Sequence, residues 1–208
     1  MFDSGNSGTF AAINELCALA EKKQKPICFW IGAGASAWCR LPLWPKLAEV
    51  FHKDYVRFEA SYDKLRSIAL IEQSRFPEFF GSCKQTNATR FKHLLVSSLK
   101  APPQPPPVFL RFTSALLALN QPLQILTTNV DEALEHSLHV QAILPSNIER
   151  LRGLLHQREP FIAKLHGSVS AVESTVFTAE EYAATIANPN YIESLKAVFE
   201  SSCVVFIG

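Results

Sequence analysis

Apolar positions recur along the chain at two periods. From Phe10 to Lys23 they fall at Phe10, Ile13, Leu16, Cys17 and Ala20 with the charged groups on the other face, which predicts an amphipathic helix. Pro26 precedes Ile27–Ile31, a continuous run of β-branched, aromatic and other apolar residues that stops at Gly32. That pattern predicts a buried, parallel strand. Helical spacing returns over Trp44–Phe58, through Leu47, Val50, Phe51 and Tyr55, and again over Lys64–Phe80, Ala88–Leu99 and Val108–Leu119. Further strands are predicted at Leu123–Leu126, Phe161–Leu165 and Cys203–Ile207. Helices are predicted at Asn129–Leu138, Asn147–Gln157, Thr178–Ile186 and Tyr191–Ser201. Strands alternating with helices, and no hairpins of alternating polarity, predict an α/β fold: a Rossmann-like, mainly parallel sheet flanked by helices, with a helical insertion over roughly 54–120.

Composition narrows the class. The 208 residues are 48% hydrophobic and 19% charged, which fits one globular domain spanning 1–208 and excludes a disordered chain. Lys and Arg total 20 against 19 Asp and Glu, a net charge of +1 that is too balanced for a general grip on nucleic-acid phosphates. No run approaches the roughly 20 apolar residues of a membrane span, and the N-terminus lacks a secretory pattern, so a cytoplasmic protein is expected. The five cysteines form an odd set with no C-x-x-C pair, which excludes a zinc ribbon and points to reduced thiols. Ala101–Pro107 holds five of the 13 prolines and reads as a rigid connector.

The predicted strands end in small or polar residues, where ligands of open α/β sheets bind. After Ile27–Ile31 comes Gly32-Ala33-Gly34-Ala35-Ser36, a turn whose missing side chains let a backbone approach a diphosphate. The acidic residue that an ordinary dinucleotide fold carries on its second strand has no counterpart, because Glu49 and Asp54 fall inside a predicted helix. After Leu123–Leu126 comes Thr127-Thr128-Asn129-Val130-Asp131, which suits either a helix N-cap or a polar site. After Phe161–Leu165 comes His166-Gly167-Ser168, where the imidazole is either structural or a proton acceptor.

Taken together, in this order, these segments resemble the sirtuin family. Gly32–Ser36 is similar to its glycine-rich NAD loop, Leu41-Pro42-Leu43-Trp44 to its proline turn, Thr128-Asn129-Val130-Asp131 to its Gln-Asn-Ile-Asp segment, and His166-Gly167 to its catalytic His-Gly pair. Val205-Phe206-Ile207-Gly208 resembles the strand and first glycine of its adenosine-binding loop. The departures are the missing zinc ribbon, Thr128 in place of Gln, and Leu43-Trp44 in place of Phe-Arg. With them the chain looks like the prokaryotic sirtuin-like NAD glycohydrolase effectors of anti-phage defence.

The resemblance implies cleavage of the nicotinamide–ribose bond of NAD. Catalysis would rest on Asn129 and His166. Substrate binding would fall to Gly32, Ala33, Gly34, Ala35, Ser36, Trp44, Thr128, Asn129, Asp131 and Gly208. NAD would be the substrate, with no prosthetic group and no metal. A histidine of ordinary pKa would titrate near the working pH. The resemblance also implies a homo-oligomer acting with a sensor or activator, either a C-terminal fusion or a partner such as a short Argonaute or an ATPase, in a longer protein of which this is the front part. Two other functions stay open at this point: a catalytically silent module binding NAD or ADP-ribose, and a protein deacylase or ADP-ribosyltransferase.

Overall fold

Five short strands carry the architecture: β1 (Ile27–Ile31), β2 (Gln124–Thr127), β3 (Ala142–Ile143), β4 (Phe161–Lys164) and β5 (Cys203–Ile207). They form one sheet in the order β3-β4-β2-β1-β5, with every pairing parallel. The computed structural model describes residues 25–118 and 122–208, together with Ala11, Asn14, Glu15, Ala18 and Lys22. Those five are helical and exposed; the remainder of the helix expected over Phe10–Lys23 lies outside the described residues.

The α/β expectation holds, and the alternation of side chains across the sheet explains why both faces are covered. Ile27, Phe29 and Ile31 share one face with Ile125 and Ile162, under α1 (Ala33–Trp38), α6 (Pro107–Ala118) and α7 (Ala133–Leu138). Cys28, Leu126 and Ala163 occupy the other face, under α8 (Arg150–Gln157) and α10 (Pro189–Ser201). A strand buried on both sides has no regular polar alternation, which is why these segments read as mainly apolar runs.

A third core lies beyond the sheet. Helices α2 (Trp44–Phe58), α3 (Lys64–Glu72), α4 (Phe76–Thr86) and α5 (Ala88–Leu99) bury Phe51, Tyr55, Phe79, Phe80 and Phe91 together. Val130, Val169 and Phe177, from the segments that leave the carboxyl ends of β2 and β4, join the same cluster. The helical layer therefore rests on the end of the sheet where the candidate residues emerge. The remaining helix, α9 (Ala179–Ile186), carries a capping box in which the Thr178 hydroxyl and the Glu181 carboxylate satisfy each other's backbone N–H.

Several boundaries differ from the sequence expectation. Lys64–Phe80 is two helices, because Ser74 adopts a left-handed backbone (φ 56°) and Pro77 begins a new first turn. The region 147–157 opens as a 3-10 turn, Pro145–Asn147, and becomes α-helical only at Arg150. The two-residue β3 is too short to show a period and gives the sheet a fifth strand. Most consequential, the helix expected at Asn129–Leu138 starts at Ala133, so Asn129 and Asp131 lie in an irregular turn. Among the described residues no helix is long and apolar enough to cross a membrane.

Candidate active site

The order of the sheet reverses at β1, which has β2 on one side and β5 on the other. In open parallel sheets that reversal leaves a crevice at the carboxyl ends of the strands. A cavity of about 100 Å³ opens there, lined among others by Ala33, Ser36, Trp44, Thr128, Asn129, Asp131 and His166. Small-molecule sites usually run from roughly 300 to 1,000 Å³. A cavity of this size has room for a single ring-sized group.

Its polar floor is built from the ends of β1 and β2. Thr127 closes β2 by donating its hydroxyl to the Ile31 carbonyl at 2.7 Å and accepting the Asn129 N–H at 3.0 Å. This short-range turn takes the backbone out of the helical path that the Thr-Asn pair suggested. The Asn129 amide then donates to the Gly32 carbonyl and to Ser36 Oγ, each at 2.9 Å. Both amide hydrogens are used, while Oδ1 is buried without a hydrogen-bond partner among the described residues. Leaving such an acceptor unpaired costs about 1–3 kcal/mol, a cost that a ligand donor would remove. Ser36 donates to Asp131 Oδ2 at 2.5 Å, and Asp131 Oδ1 accepts the Ala133 N–H at 3.1 Å, a local turn bond at the entry to α7. Asp131 is only 6% exposed, so its carboxylate depends on these donors.

Beneath the floor sits a group that the sequence reading passed over. Lys164, the last residue of β4, is fully buried and donates to the Asp131 carbonyl and to Glu135 Oε1, the latter at 2.7 Å. Burial raises the Glu135 carboxyl above its ordinary range, and the neighbouring ammonium opposes that shift. The available signal was a charge inside the otherwise apolar stretch Phe161–Leu165.

His166 follows on the same side. Its Nδ1 lies 3.4 Å from the Tyr182 hydroxyl, with the rings edge to face at 5.0 Å. Burial pulls the imidazole pKa down to about 4, so the ring is neutral at physiological pH, a correction to the expectation that it titrates there. Gly167 is required by geometry: φ is +78°, and a Cβ would come within 2.1 Å of the Ser174 carbonyl oxygen. The His166 carbonyl accepts the Val176 N–H at 3.0 Å, folding 166–176 back on itself and returning Val176 and Phe177 to the cavity.

The opposite wall is apolar. Trp44 stacks on Phe177 at 5.4 Å and meets Phe80 edge-on at 5.5 Å, so the ring expected to touch substrate is also part of the helical core. Glu181 anchors this wall: one carboxylate oxygen accepts the Phe177 and Thr178 N–H groups at 2.8 Å, and the other accepts Lys84 of α4. Tyr182, the residue that follows, lines the cavity. Nothing in the local sequence distinguishes Phe177 or Tyr182 from ordinary residues of an amphipathic segment.

The glycine turn divides into two parts. Ala33 and Ser36 line the cavity, whereas Ala35 is buried in the sheet core and its N–H is bonded to the Gly32 carbonyl at 3.2 Å. Gly32, Gly34 and Gly208 meet as bare backbone where β1 and β5 end: Gly32 N–H donates to the Ile207 carbonyl at 2.7 Å. A Cβ on Gly34 would stand 2.9 Å from Gly208 Cα, so Gly34 is needed first for this junction. Among the described residues the cysteines Cys28, Cys39, Cys83 and Cys203 are free thiols. Burial pushes Cys28 and Cys83 up to about 12 and Cys39 to about 11. No group of three His, Cys, Asp or Glu among the described residues could hold a metal ion.

Residues 123–208 match the family model of the SIR2-like domain. The matched stretch begins just before β2 and contains Thr128, Asn129, Asp131, His166 and Gly208, while Gly32–Ser36 and Trp44 precede it. No curated protein matches the chain. The match supports a sirtuin-like domain with an NAD-related function.

Proposed function

We propose that the protein is an NAD glycohydrolase, cleaving NAD and water to nicotinamide, ADP-ribose and a proton. The observation that supports this reading best is the meeting of Asn129, Asp131 and His166 around one ring-sized cavity, with a buried Asn129 oxygen that has no hydrogen-bond partner among the described residues. The nicotinamide end of NAD is of that size. Its carboxamide offers N–H donors for the Asp131 carboxylate, and the ribose hydroxyls offer donors for Asn129 Oδ1. Trp44 and Phe177 give the ring an apolar wall that excludes water from the departing group.

Cleavage breaks the bond between the pyridinium nitrogen and ribose C1′. The electron pair goes to the ring, which leaves as neutral nicotinamide, and positive charge builds on the ribose. Holding the ribose rigidly while that charge develops is the main service that the floor can perform. Water then adds at C1′, and neutral His166 accepts the proton released. With a pKa of about 4 the imidazole is a weak base, but its acceptor form is fully populated above pH 5. By its resemblance to a glycine-rich NAD loop the turn 32–36 would approach the diphosphate, and Ala33 and Ser36 are the residues of that turn that line the cavity.

The reading carries a biological expectation: NAD depletion in prokaryotic anti-phage defence, as a homo-oligomer switched on by a sensor or partner. Phage challenge of cells expressing the active form against an inactive variant tests it. The enzymatic test is nicotinamide release from NAD by the purified protein, with and without an acylated peptide. Release that needs no peptide is expected. Release only with peptide would make the protein a deacylase or transferase, and tight NAD binding without release would make it a silent binding module.

A further inference from the structure

Lys164 is the last residue of β4 and is fully buried, one strand away from the turn that carries Asn129 and Asp131. An ammonium so placed is a poor way to gain stability, since apolar residues of similar volume usually do as well or better than a buried ion pair. Its position relative to the floor is more informative. The segment 128–132 belongs to no helix or strand. Its backbone is tied by the Thr127 hydroxyl at Asn129 N–H, by Val169 N–H at the Val130 carbonyl (2.9 Å), and by Lys164 at the Asp131 carbonyl. Lys164 also reaches Glu135 on α7, so one side chain grips both the turn and the helix into which it leads.

We propose that Lys164 is a positioning residue: by holding the Asp131 carbonyl it fixes the turn 128–132 so that Asn129 and the Asp131 carboxylate are presented to the substrate. The consequence for catalysis rests on the NAD reading above, but the positioning itself does not. In the alternative, Lys164 and Glu135 are only a buried ion pair that stabilises the domain.

The double variant Lys164→Met/Glu135→Leu separates the two roles, because it removes both charges and refills the space. It is expected to melt close to the wild type. Hydrogen exchange across 128–133 is expected to be at least ~10-fold faster while β2 and β4 stay protected, and kcat to fall at least ~10-fold, as misplaced reacting groups do. A folded double variant with wild-type exchange and wild-type turnover overturns the proposal. Should the double variant fail to fold, Glu135→Gln decides: it spares the bond from Lys164 to the carbonyl, so exchange across 128–133 should remain slow. Fast exchange there would assign the positioning to the ion pair and overturn the proposal. The exchange measurements need no substrate, so a wild type that releases no nicotinamide would sink the NAD reading and leave the positioning result standing.

Discussion

On one side of the cavity Ser36, Asn129 and Asp131 are held by directed hydrogen bonds of 2.5 to 3.1 Å. On the other side Trp44 and Phe177 are held by aromatic contacts that run without a break into Phe80, Phe51 and Phe91. A hydrogen-bonded floor fixes orientation, because each bond has a narrow angular range and a buried group without its partner is costly. A packed wall fixes volume, because apolar burial has no direction but leaves little empty space. The two sides therefore predict different consequences when cut: loss of turnover from the floor and loss of stability from the wall.

The largest effect on stability is expected from the wall. Phe80 is fully buried and touches Trp44, Phe51, Phe79, Phe91 and Phe177. Phe80→Ala should cost about 3–5 kcal/mol of unfolding free energy. Denaturant titration checks this, and turnover per folded molecule should fall far less than stability does. A Phe80→Ala protein of full stability that had lost turnover would reverse the comparison.

The next effect is a pH dependence from His166. Its folded pKa of about 4 lies below the unfolded value near 6.5. As pH falls through 6.5 the unfolded state takes up a proton that the folded state refuses, so stability decreases down to pH 4, by roughly 3 kcal/mol. Melting curves of the wild type and His166→Ala between pH 8 and 4 isolate this contribution, which only the wild type shows. The wild-type rate per folded molecule should stay flat from pH 8 to 5 and fall only as pH approaches 4. A fall centred near pH 6.5 would mean that the ring is not desolvated as described.

The smallest expected effect on stability comes from Ser36→Ala in the floor. It removes the donor to Asp131 and one acceptor of Asn129, at about 1–2 kcal/mol. Turnover should nevertheless drop about tenfold or more, because Asn129 and Asp131 lose their common tether. Calorimetric NAD affinity and single-turnover rates distinguish a binding defect from a chemical one.

The two sides were also legible to different degrees. The wall rests on helices whose periodicity gave Trp44–Phe58 and Ala88–Leu99 with their observed limits; of the apolar set read in the first, Leu47, Phe51 and Tyr55 are buried while Val50 is exposed. Periodicity reports which face is buried, however, not against what, so the contact of Phe177 with Trp44 had no local signal. The strand-end residues of the floor were visible as polar interruptions of apolar runs, and Ser36, Asn129, Asp131 and His166 do line one cavity. What the sequence concealed was the bond from the Thr127 hydroxyl to the neighbouring strand, which turns Asn129 out of a helix that its neighbours favour. Lys164 was hidden for a related reason: a single charge in a strand reads as exposed unless its partners, Asp131 and Glu135, are known to be at hand.

The central claim is that the floor performs chemistry that the wall only encloses, and Asn129→Ala tests it most directly. The substitution removes the bonds to Gly32 and Ser36 and the Oδ1 acceptor that has no partner among the described residues, yet touches none of the aromatic core. Nicotinamide release should be measured under single-turnover conditions, per folded molecule, in the active form of the protein. The account predicts a melting temperature within a few degrees of wild type and a rate reduced at least ~10²-fold. A well-folded Asn129→Ala protein that cleaves NAD at the wild-type rate would contradict it.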